Sequence, residues 1–338
     1  MDPLTHALAS YTLKRAAFPR LPRMATLAMI LAGTLADADL FFSQSTPSAY
    51  LSWHRTYVHS LAGALLLSAV ATLLCTQLDR DPPEQRTRPL TVLAVAFAAA
   101  LLHFLLDIGQ SLGVEMLWPF THRRFALDWL PKPDLFIFVA LLLALLLPKL
   151  AGLVTEEIGG KSRGTRGRGA AILALALLAV YAGARGFLHS SALAALDART
   201  YYGEPPRRAA AFPESPSPLA WLGVVETERA LNEVSVSLAP GAAFDAESAR
   251  PSYKPEPSEA LNAALATVTA RRFIAAVRFP KASIEKTADG YHIELHAFPY
   301  GSVSASSRVM AVIETDGAGK VLSESLEWDP HSEQHWWR

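Results

Sequence analysis

The sequence predicts a mainly α polytopic membrane helical bundle of five or six transmembrane helices, followed by a small extracytoplasmic α+β domain. Three observations carry this prediction. Long apolar runs fill the first part of the 338-residue chain, and only 18% of all residues are charged, against about 25% in soluble domains. After about Gly186, regular charges, Pro clusters and alternating strands return. We therefore divide the chain into a membrane domain, residues 1–189, and a soluble domain, residues 190–338.

The membrane domain holds five segments that are apolar over about the 20 residues a helix needs to cross a bilayer. They are Met24–Phe42, Val58–Leu78, Leu90–Ile108, Leu135–Val154 and Ala170–Leu188. A sixth, shorter helix is predicted over Pro3–Phe18, because Pro is favoured at the first position of a helix and helix-forming residues follow it. An amphipathic helix lying on the cytoplasmic surface is the alternative for this segment.

The orientation follows from the basic residues, because cytoplasmic loops are enriched in Lys and Arg. We assign the short basic loop Lys161–Arg168 to the cytoplasm. Because successive spans cross the membrane in alternate directions, the loop Arg80–Arg88 then lies in the cytoplasm as well. The loops around Tyr50 and Trp118, and the whole C-terminal domain, then lie outside the cytoplasm. The expected location is a bacterial inner membrane, and the external loop Arg123–Lys132 is the exception to the charge rule.

The soluble domain reads as short strands with one helix. Strand character is found in Ala220–Leu238, Arg272–Phe279, Gly290–Phe298 and Arg308–Glu314, and helix character in Ser258–Ala270. His292, Glu294 and His296 share one face of a strand, because side chains alternate along it. We interpret them as the polar outer face of an amphipathic strand in preference to a metal site.

Six ionisable residues lie inside or next to the apolar spans. They are Asp37, Asp39, His54, His59, His103 and Asp107. A charge at membrane depth costs at least about 2.5 kcal/mol, so such residues need partners and usually mark function. His103 and Asp107 are four residues apart, which places both side chains on one face of a helix. The predicted topology brings all six near the outer ends of their helices.

This combination of ligands indicates divalent metal. Imidazole and carboxylate groups suit Zn²⁺, with Mn²⁺ or Fe²⁺ as alternatives, and the number of candidates indicates two or more ions. Paired ions favour attack of an activated water on a phosphate ester, with Asp37 or Asp107 as the base. For any single member, a helix cap or an ordinary solvated side chain is the alternative.

Three arginines are expected on the same outer side, and they are Arg55, Arg123 and Arg124. The planar guanidinium group can donate two parallel hydrogen bonds to a phosphate, so these are candidate substrate-binding residues. For Arg55, anchoring to lipid headgroups is an equal alternative, and for Arg123 and Arg124 it is the favoured one.

Four motifs occur in order along the membrane half: Met1–His6 (MDPLTH), Ala36–Asp39 (ADAD), His54–Ser60 (HRTYVHS) and His103–Asp107 (HFLLD). With this ordered set the chain resembles the YdjM/YfhP-like family of membrane-bound metal-dependent hydrolases. The resemblance implies a hydrolase fold distantly similar to zinc-dependent phospholipase C and to nucleases of the S1/P1 type. It also adds His6 to the metal ligands.

We therefore expect an integral membrane hydrolase that uses metal-activated water to cleave a phosphate ester, lipid phosphates included. Two other classes stay open. An ion or metal transporter would also bury His and Asp in helices, and a membrane-anchored sensor or assembly protein would work through its external domain. The net charge of +0 and the lack of a long basic run give no reason to expect nucleic acid as a partner. The expected partners are the lipid bilayer and the substrate.

Overall fold

The computed structural model describes residues 1–157, 167–298 and 308–330. Most of the basic loop Lys161–Arg168, the anchor of the predicted orientation, lies outside the described residues. The chain divides into two compact units. The first is Met1–Leu40 with Arg55–Gly186, and the second is Phe41–His54 with Phe187–Arg338.

The first half of the described chain is helical. In chain order the helices are α1 (Pro3–Ala17), α2 (Arg23–Ala32), α3 (Asp39–Ser43), α4 (Pro47–Trp53), α5 (Leu61–Gln77), α6 (Pro89–Ile108), α7 (Leu135–Glu157) and α8 (Arg168–Asp197). The short helix that the sequence predicts at the N-terminus is confirmed as α1.

Three helices of the described residues are long and apolar enough to cross a membrane. They are α6, the Leu135–Leu153 part of α7, and α8. A fourth span is possible if Arg23–Ala32 and Leu35–Ser43 count as one, but this pair is bent by 49°. The 17-residue helix α5 is apolar but shorter. The prediction of five or six spans is therefore not confirmed, because one predicted span breaks after Gly33 and another forms a short helix.

Small residues hold α2, α5 and α6 together. Ala28 and Ala32 of α2, Ala71 of α5 and Ala96 of α6 are fully buried in one cluster. Small side chains let helix backbones approach closely, which is how helices associate where lipid removes the hydrophobic drive. The leucines on the other side of α5, such as Leu66, are exposed, as expected for a surface that faces lipid.

The second unit contains two antiparallel sheets, each with its strands in sequence order. The first sheet is formed by β1 (Arg208–Pro213), β2 (Ala220–Glu226), β3 (Ala230–Ser237) and β4 (Arg250–Tyr253). The second is formed by β5 (Pro280–Lys286), β6 (Gly290–Ala297), β7 (Val309–Asp316) and β8 (Val321–Trp328). Helices α9 (Glu259–Ala266) and α10 (Val268–Ala276) pack on the second sheet through a core that includes Phe273 and Ile293.

One predicted strand is wrong. Most of the segment Arg272–Phe279 forms the end of α10, and β5 begins only at Pro280. The helix forms because the Thr267 side chain caps it by accepting a hydrogen bond from the Ala270 amide (3.1 Å). Ala270 and Phe273 then bury one helical face, three residues apart. Tertiary packing of a helix, not strand alternation, explains the apolar residues here.

The segment Phe41–His54, which we expected in the membrane domain, groups with the C-terminal unit. Leu51 of α4 packs against the core beneath the second sheet, and the Tyr50 ring meets Trp328 edge-on at 5.8 Å between ring centroids. Contacts with a sequence-distant strand therefore decide the grouping of this segment.

A chain of His and carboxylate contacts runs along the outer face of β6, where Ile293, Leu295 and Ala297 point to the other, buried side. His292 Nδ1 lies 2.6 Å from Glu314, and the Nε2 atoms of His292 and His296 lie 3.2 and 3.0 Å from the two oxygens of Glu294. His296 Nδ1 lies 3.1 Å from Asp329. The predicted polar outer face of an amphipathic strand is thus confirmed.

From these contacts we expect the stability of the second sheet to depend on pH. The hydrogen bond to Glu314 raises the pKa of the His292 imidazole. Partial burial opposes ionisation of Glu294, but hydrogen bonds from His296 and His292 keep the pKa of that carboxyl below its usual value. A raised His pKa means that its contribution to stability is complete below about pH 6.5 and is lost as pH rises through the folded-state pKa.

We predict that amides of β6 and β7 exchange hydrogen faster at about pH 8 than at about pH 6, after correction for intrinsic exchange. The His292→Gln variant should lose most of this difference, because glutamine does not titrate. Hydrogen–deuterium exchange of the full-length protein, read by mass spectrometry, measures it. Equal pH dependence in both proteins would show that His292 does not supply the effect.

Candidate metal centre

The predicted pair His103 and Asp107 forms on α6. Both side chains are buried, and His103 Nε2 lies 3.5 Å from Asp107 Oδ2. The spacing of four residues places them on one helical face, as the sequence predicts. This face of α6 is turned to α1, α2 and α5, which supply the other members of the cluster.

The end of α2 orients His103. The chain leaves the helix at Gly33, and the Gly33 carbonyl lies 3.0 Å from His103 Nδ1, which donates to it. The proton on Nδ1 leaves Nε2 with a lone pair directed at Asp107. Histidines that ligate metal usually donate their second ring nitrogen in this way, which fixes the ring and raises its basicity.

Helix α1 delivers His6. Asp2 caps the helix by accepting a hydrogen bond from the Thr5 amide (2.9 Å), and Pro3 fills the first turn. One turn later the buried His6 ring lies between two carboxylates, with Nδ1 2.8 Å from Asp37 Oδ2 and Nε2 3.5 Å from Asp107 Oδ1. Its ring centroid is 3.7 Å from that of His103.

His59 arrives from the turn before α5. Ser60 caps α5 by accepting from the Gly63 amide (2.9 Å). A side chain at Gly63 would approach the Tyr57 carbonyl oxygen to 2.3 Å, so only glycine lets this turn close on the helix. The buried His59 ring has Nδ1 3.3 Å from Asp39 Oδ2 and Nε2 3.3 Å from Asp107 Oδ2.

Asp107 is the centre of the cluster. It is fully buried, and its Oδ1 accepts from Arg55 Nη2 (3.0 Å) and from the α-amino group of Met1. Gln110 Oε1 accepts hydrogen bonds from the same two groups, from Arg55 Nη2 at 2.9 Å and from Met1 N at 3.0 Å. Two hydrogen-bond donors and the His6 imidazole therefore face Oδ1 of Asp107, and the imidazoles of His59 and His103 face Oδ2.

The residues present fit a metal ion. Several buried atoms that could bind a metal make no hydrogen bond within the described chain. They are His6 Nε2, both ring nitrogens of His59, His103 Nε2 and Asp107 Oδ2. Lone pairs of imidazole and carboxylate that face one another at 3.3–3.5 Å repel unless a cation or a proton lies between them. One ligand atom from each of Asp37, His59, His103 and Asp107 lies within 4.8 Å of the others. This mixed set is the kind that Zn²⁺, Mn²⁺ and Fe²⁺ accept.

Six of the seven expected ligands come together in the first unit, and they are His6, Asp37, Asp39, His59, His103 and Asp107. His54 belongs to the second unit, where its ring stacks on Tyr50 at 5.1 Å between centroids. Its role as a ligand stays a prediction.

The three arginines occupy different environments. Arg55 is only 2% exposed and points into the cluster. Arg124 Nε lies 3.5 Å from Glu115, and Arg123 is exposed with its guanidinium 5.4 Å from the centre of the Phe125 ring. Arg55 is thus the arginine that the fold joins to the expected ligands.

Sequence reasoning missed Gln110 and the Gly33 carbonyl. Gln110 follows Asp107 by three residues, so the helical spacing offered a signal for it. The carbonyl left no signal, since any residue type supplies one and only the break in α2 exposes it.

We predict that Gly33→Ala weakens metal binding about tenfold, the low end of the loss expected when a partner of a ligating histidine shifts. The new Cβ would lie 2.0 Å from Ser10 Oγ on α1, so α1, which carries His6, and the carbonyl that holds His103 must separate. Metal affinity of the purified protein, measured by competition with a fluorescent chelator, tests this.

Two further variants sharpen the Gly33 experiment. Ser10→Ala removes the clashing oxygen, so the double variant should regain most of the affinity. Gly183→Ala is a matched control in α8, because its added Cβ meets nothing within 4 Å. Normal affinity in Gly33→Ala would show that the packing of α1 on α2 does not position the ligands.

The family comparison covers the same part of the chain. The model of the family described as YdjM inner membrane protein matches residues 1–195, which include every residue of the cluster. A search of curated proteins and one of solved structures gave no match. Since the matched region is more than half of the chain, the protein belongs to the YdjM inner membrane protein family.

Proposed function

We propose that this protein is an integral membrane metal-dependent hydrolase that cleaves a phosphate ester. The observation that carries the proposal is the convergence of buried imidazole and carboxylate groups from four separate chain segments on Asp107. Uncompensated ionisable groups at membrane depth are costly, and they usually mark a functional site.

Asp37, His59, His103 and Asp107 would hold a first divalent ion, with Zn²⁺ as the best candidate and Mn²⁺ or Fe²⁺ as alternatives. His6 contacts Asp37 and Asp39 contacts His59, so these two would be the candidate ligands of a second ion. Such ions, when bound, act as Lewis acids that activate water and polarise a phosphoryl oxygen.

Arg55 would bind the phosphate. Its Nη2 holds Asp107 and Gln110, whereas its Nη1 is buried and makes no hydrogen bond within the described residues. A buried guanidinium N–H without an acceptor is costly, and a phosphoryl oxygen would satisfy it. The hydrogen bonds from Nη2 to Asp107 and Gln110 fix the orientation of the guanidinium group. Its Nη1 would therefore be in position before the substrate binds.

Asp37 and Asp107 are the candidate bases. Asp107 Oδ1 already accepts from Arg55 and the Met1 amino group, and Oδ2 would bind the ion together with His59 and His103, so neither oxygen is free to take up a proton. Asp37 is partly exposed, and its Oδ2 contacts His6 Nδ1. Of the two, Asp37 would therefore be the better placed to accept a proton from an attacking water.

The site would face the outside of the inner membrane. Helix α1 is about 22 Å long at 1.5 Å per residue, with His6 near its start and Lys14 and Arg15 in its last turn. Arg168 Nε donates to the Ala16 carbonyl (3.1 Å), so basic residues gather at the end of α1 away from His6. The positive-inside rule assigns that end to the cytoplasm. The cluster and the C-terminal domain then lie outside, and phosphates of membrane lipids fall within the proposed substrate class.

The direct test is metal content beside activity. Detergent-purified protein should contain transition metal and hydrolyse a generic phosphomonoester or phosphodiester. We predict that His103→Gln and Asp107→Asn lose metal and lower kcat/KM at least about 100-fold, because a lost ligand both weakens binding and misplaces the water. Elemental analysis and a chromogenic assay measure the two effects.

Two variants complete the design. His122→Gln is the matched control, since this side chain is 76% exposed, and it should leave metal and activity unchanged. Arg55→Lys keeps the positive charge but loses the forked geometry, so it should keep its metal while raising KM. Full metal content in both His103→Gln and Asp107→Asn would show that these residues do not bind the metal. Bound metal with no ester turnover would favour a transport or structural role.

A further inference from the structure

The loop after α6 is fixed at the membrane boundary. Helix α6 has 20 residues, about 30 Å of helix, which matches the hydrocarbon thickness and places its ends near the two interfaces. The loop returns to the C-terminal end of α6, where the Leu127 amide donates to the Ile108 carbonyl (2.8 Å) and the Trp129 amide to the Gly109 carbonyl (2.9 Å). Both ends of the loop therefore lie at the same end of α6.

The tip of this loop, Leu117–Phe120, is apolar and exposed. Phe120 is 92% exposed and Leu117 is 38% exposed. The Trp118 ring packs edge-on against Tyr57, with 5.0 Å between centroids. An exposed phenylalanine held at an interface is unfavourable in water but favourable in lipid.

The tip adjoins surfaces already assigned to lipid and to the metal centre. The Leu61 amide, at the start of α5, donates to the Met116 carbonyl (3.1 Å), so the tip continues the exposed leucine surface of α5. The Glu115 amide donates to the carbonyl of Arg55 (3.2 Å), whose side chain enters the cluster. The loop is thus tied to the residue proposed to bind phosphate.

Basic groups follow the tip. His122 and Arg123 are exposed, two and three residues after Phe120. An apolar tip with cationic neighbours is the usual composition of a segment that enters a bilayer, with the charges at the level of anionic headgroups.

We propose that Leu117–Phe120 inserts into the leaflet at the C-terminal end of α6, with Arg123 at headgroup level. Insertion would hold the metal centre against the lipid surface, which favours lipid phosphates over soluble esters. The insertion itself does not depend on hydrolysis, and only this last preference rests on the proposed function.

Spin labels can test the depth of the tip. The full-length Cys75→Ala protein receives single cysteines at positions 117, 120 and 123, and is reconstituted in liposomes of zwitterionic and anionic lipid. Collision rates with oxygen, which partitions into hydrocarbon, and with a water-soluble nickel chelate are then measured. Leu143→Cys, exposed on the surface of α7, is the hydrocarbon reference, and Glu84→Cys in the loop before α6 is the water reference.

At positions 117 and 120 the spin label should collide more often with oxygen than with the nickel chelate, as it should at position 143. The ratio at 120 should be severalfold higher than at 123, which should resemble 84. A chelate-dominated signal at 120 would overturn insertion and leave a solvent-exposed loop. Exclusion of both reagents, with dipolar broadening between labels at 120, would instead indicate a second copy of the chain on this tip. Neither the collision rates nor the dipolar broadening depends on catalytic activity. They would test insertion even if the protein were found not to be a hydrolase.

Discussion

The helical unit is organised around one buried carboxylate, that of Asp107. It lies at the end of an apolar helix with no exposed surface, where an uncompensated charge would be strongly unfavourable. Arg55 and the Met1 amino group donate to it directly, and a metal ion shared with the imidazoles of His6, His59 and His103 would supply the rest of the compensation. The requirement to surround this group explains why α1, the break after α2 and the turn before α5 all meet α6 at one level.

The packing of the helices serves the same requirement. The alanines of α2, α5 and α6 let the three backbones approach, and Gly33 and Gly63 let chain turns close directly on neighbouring helices. Larger side chains at these positions would separate the segments that carry His6, His59 and His103. The close contact of Gly33 with Ser10 and the hydrogen bond from His103 to Gly33 make one backbone position serve both packing and ligand orientation.

Much of the centre could be predicted from the sequence because its signals are local. The spacing of His103 and Asp107 sets their common face, and apolar length identifies α6, α7 and α8 as candidate spans. Long-range contacts carried no such signal. The inward direction of Arg55 and the grouping of Phe41–His54 with the C-terminal unit depend on partners distant in sequence. Periodicity alone cannot detect a cap such as Thr267 overriding a β-rich composition.

X-ray absorption of the metal-loaded protein is the most direct test of whether Asp107 and its surrounding imidazoles hold a transition metal. We predict nitrogen and oxygen ligands at about 2.0–2.2 Å, multiple scattering from at least two imidazole rings and no sulfur shell. The single cysteine, Cys75, is buried among the alanines of α2 and α6. The metal that His103→Gln still binds at saturating metal concentration should show one imidazole ring fewer. A spectrum without imidazole, or the same number of rings in His103→Gln, would contradict metal binding at Asp107.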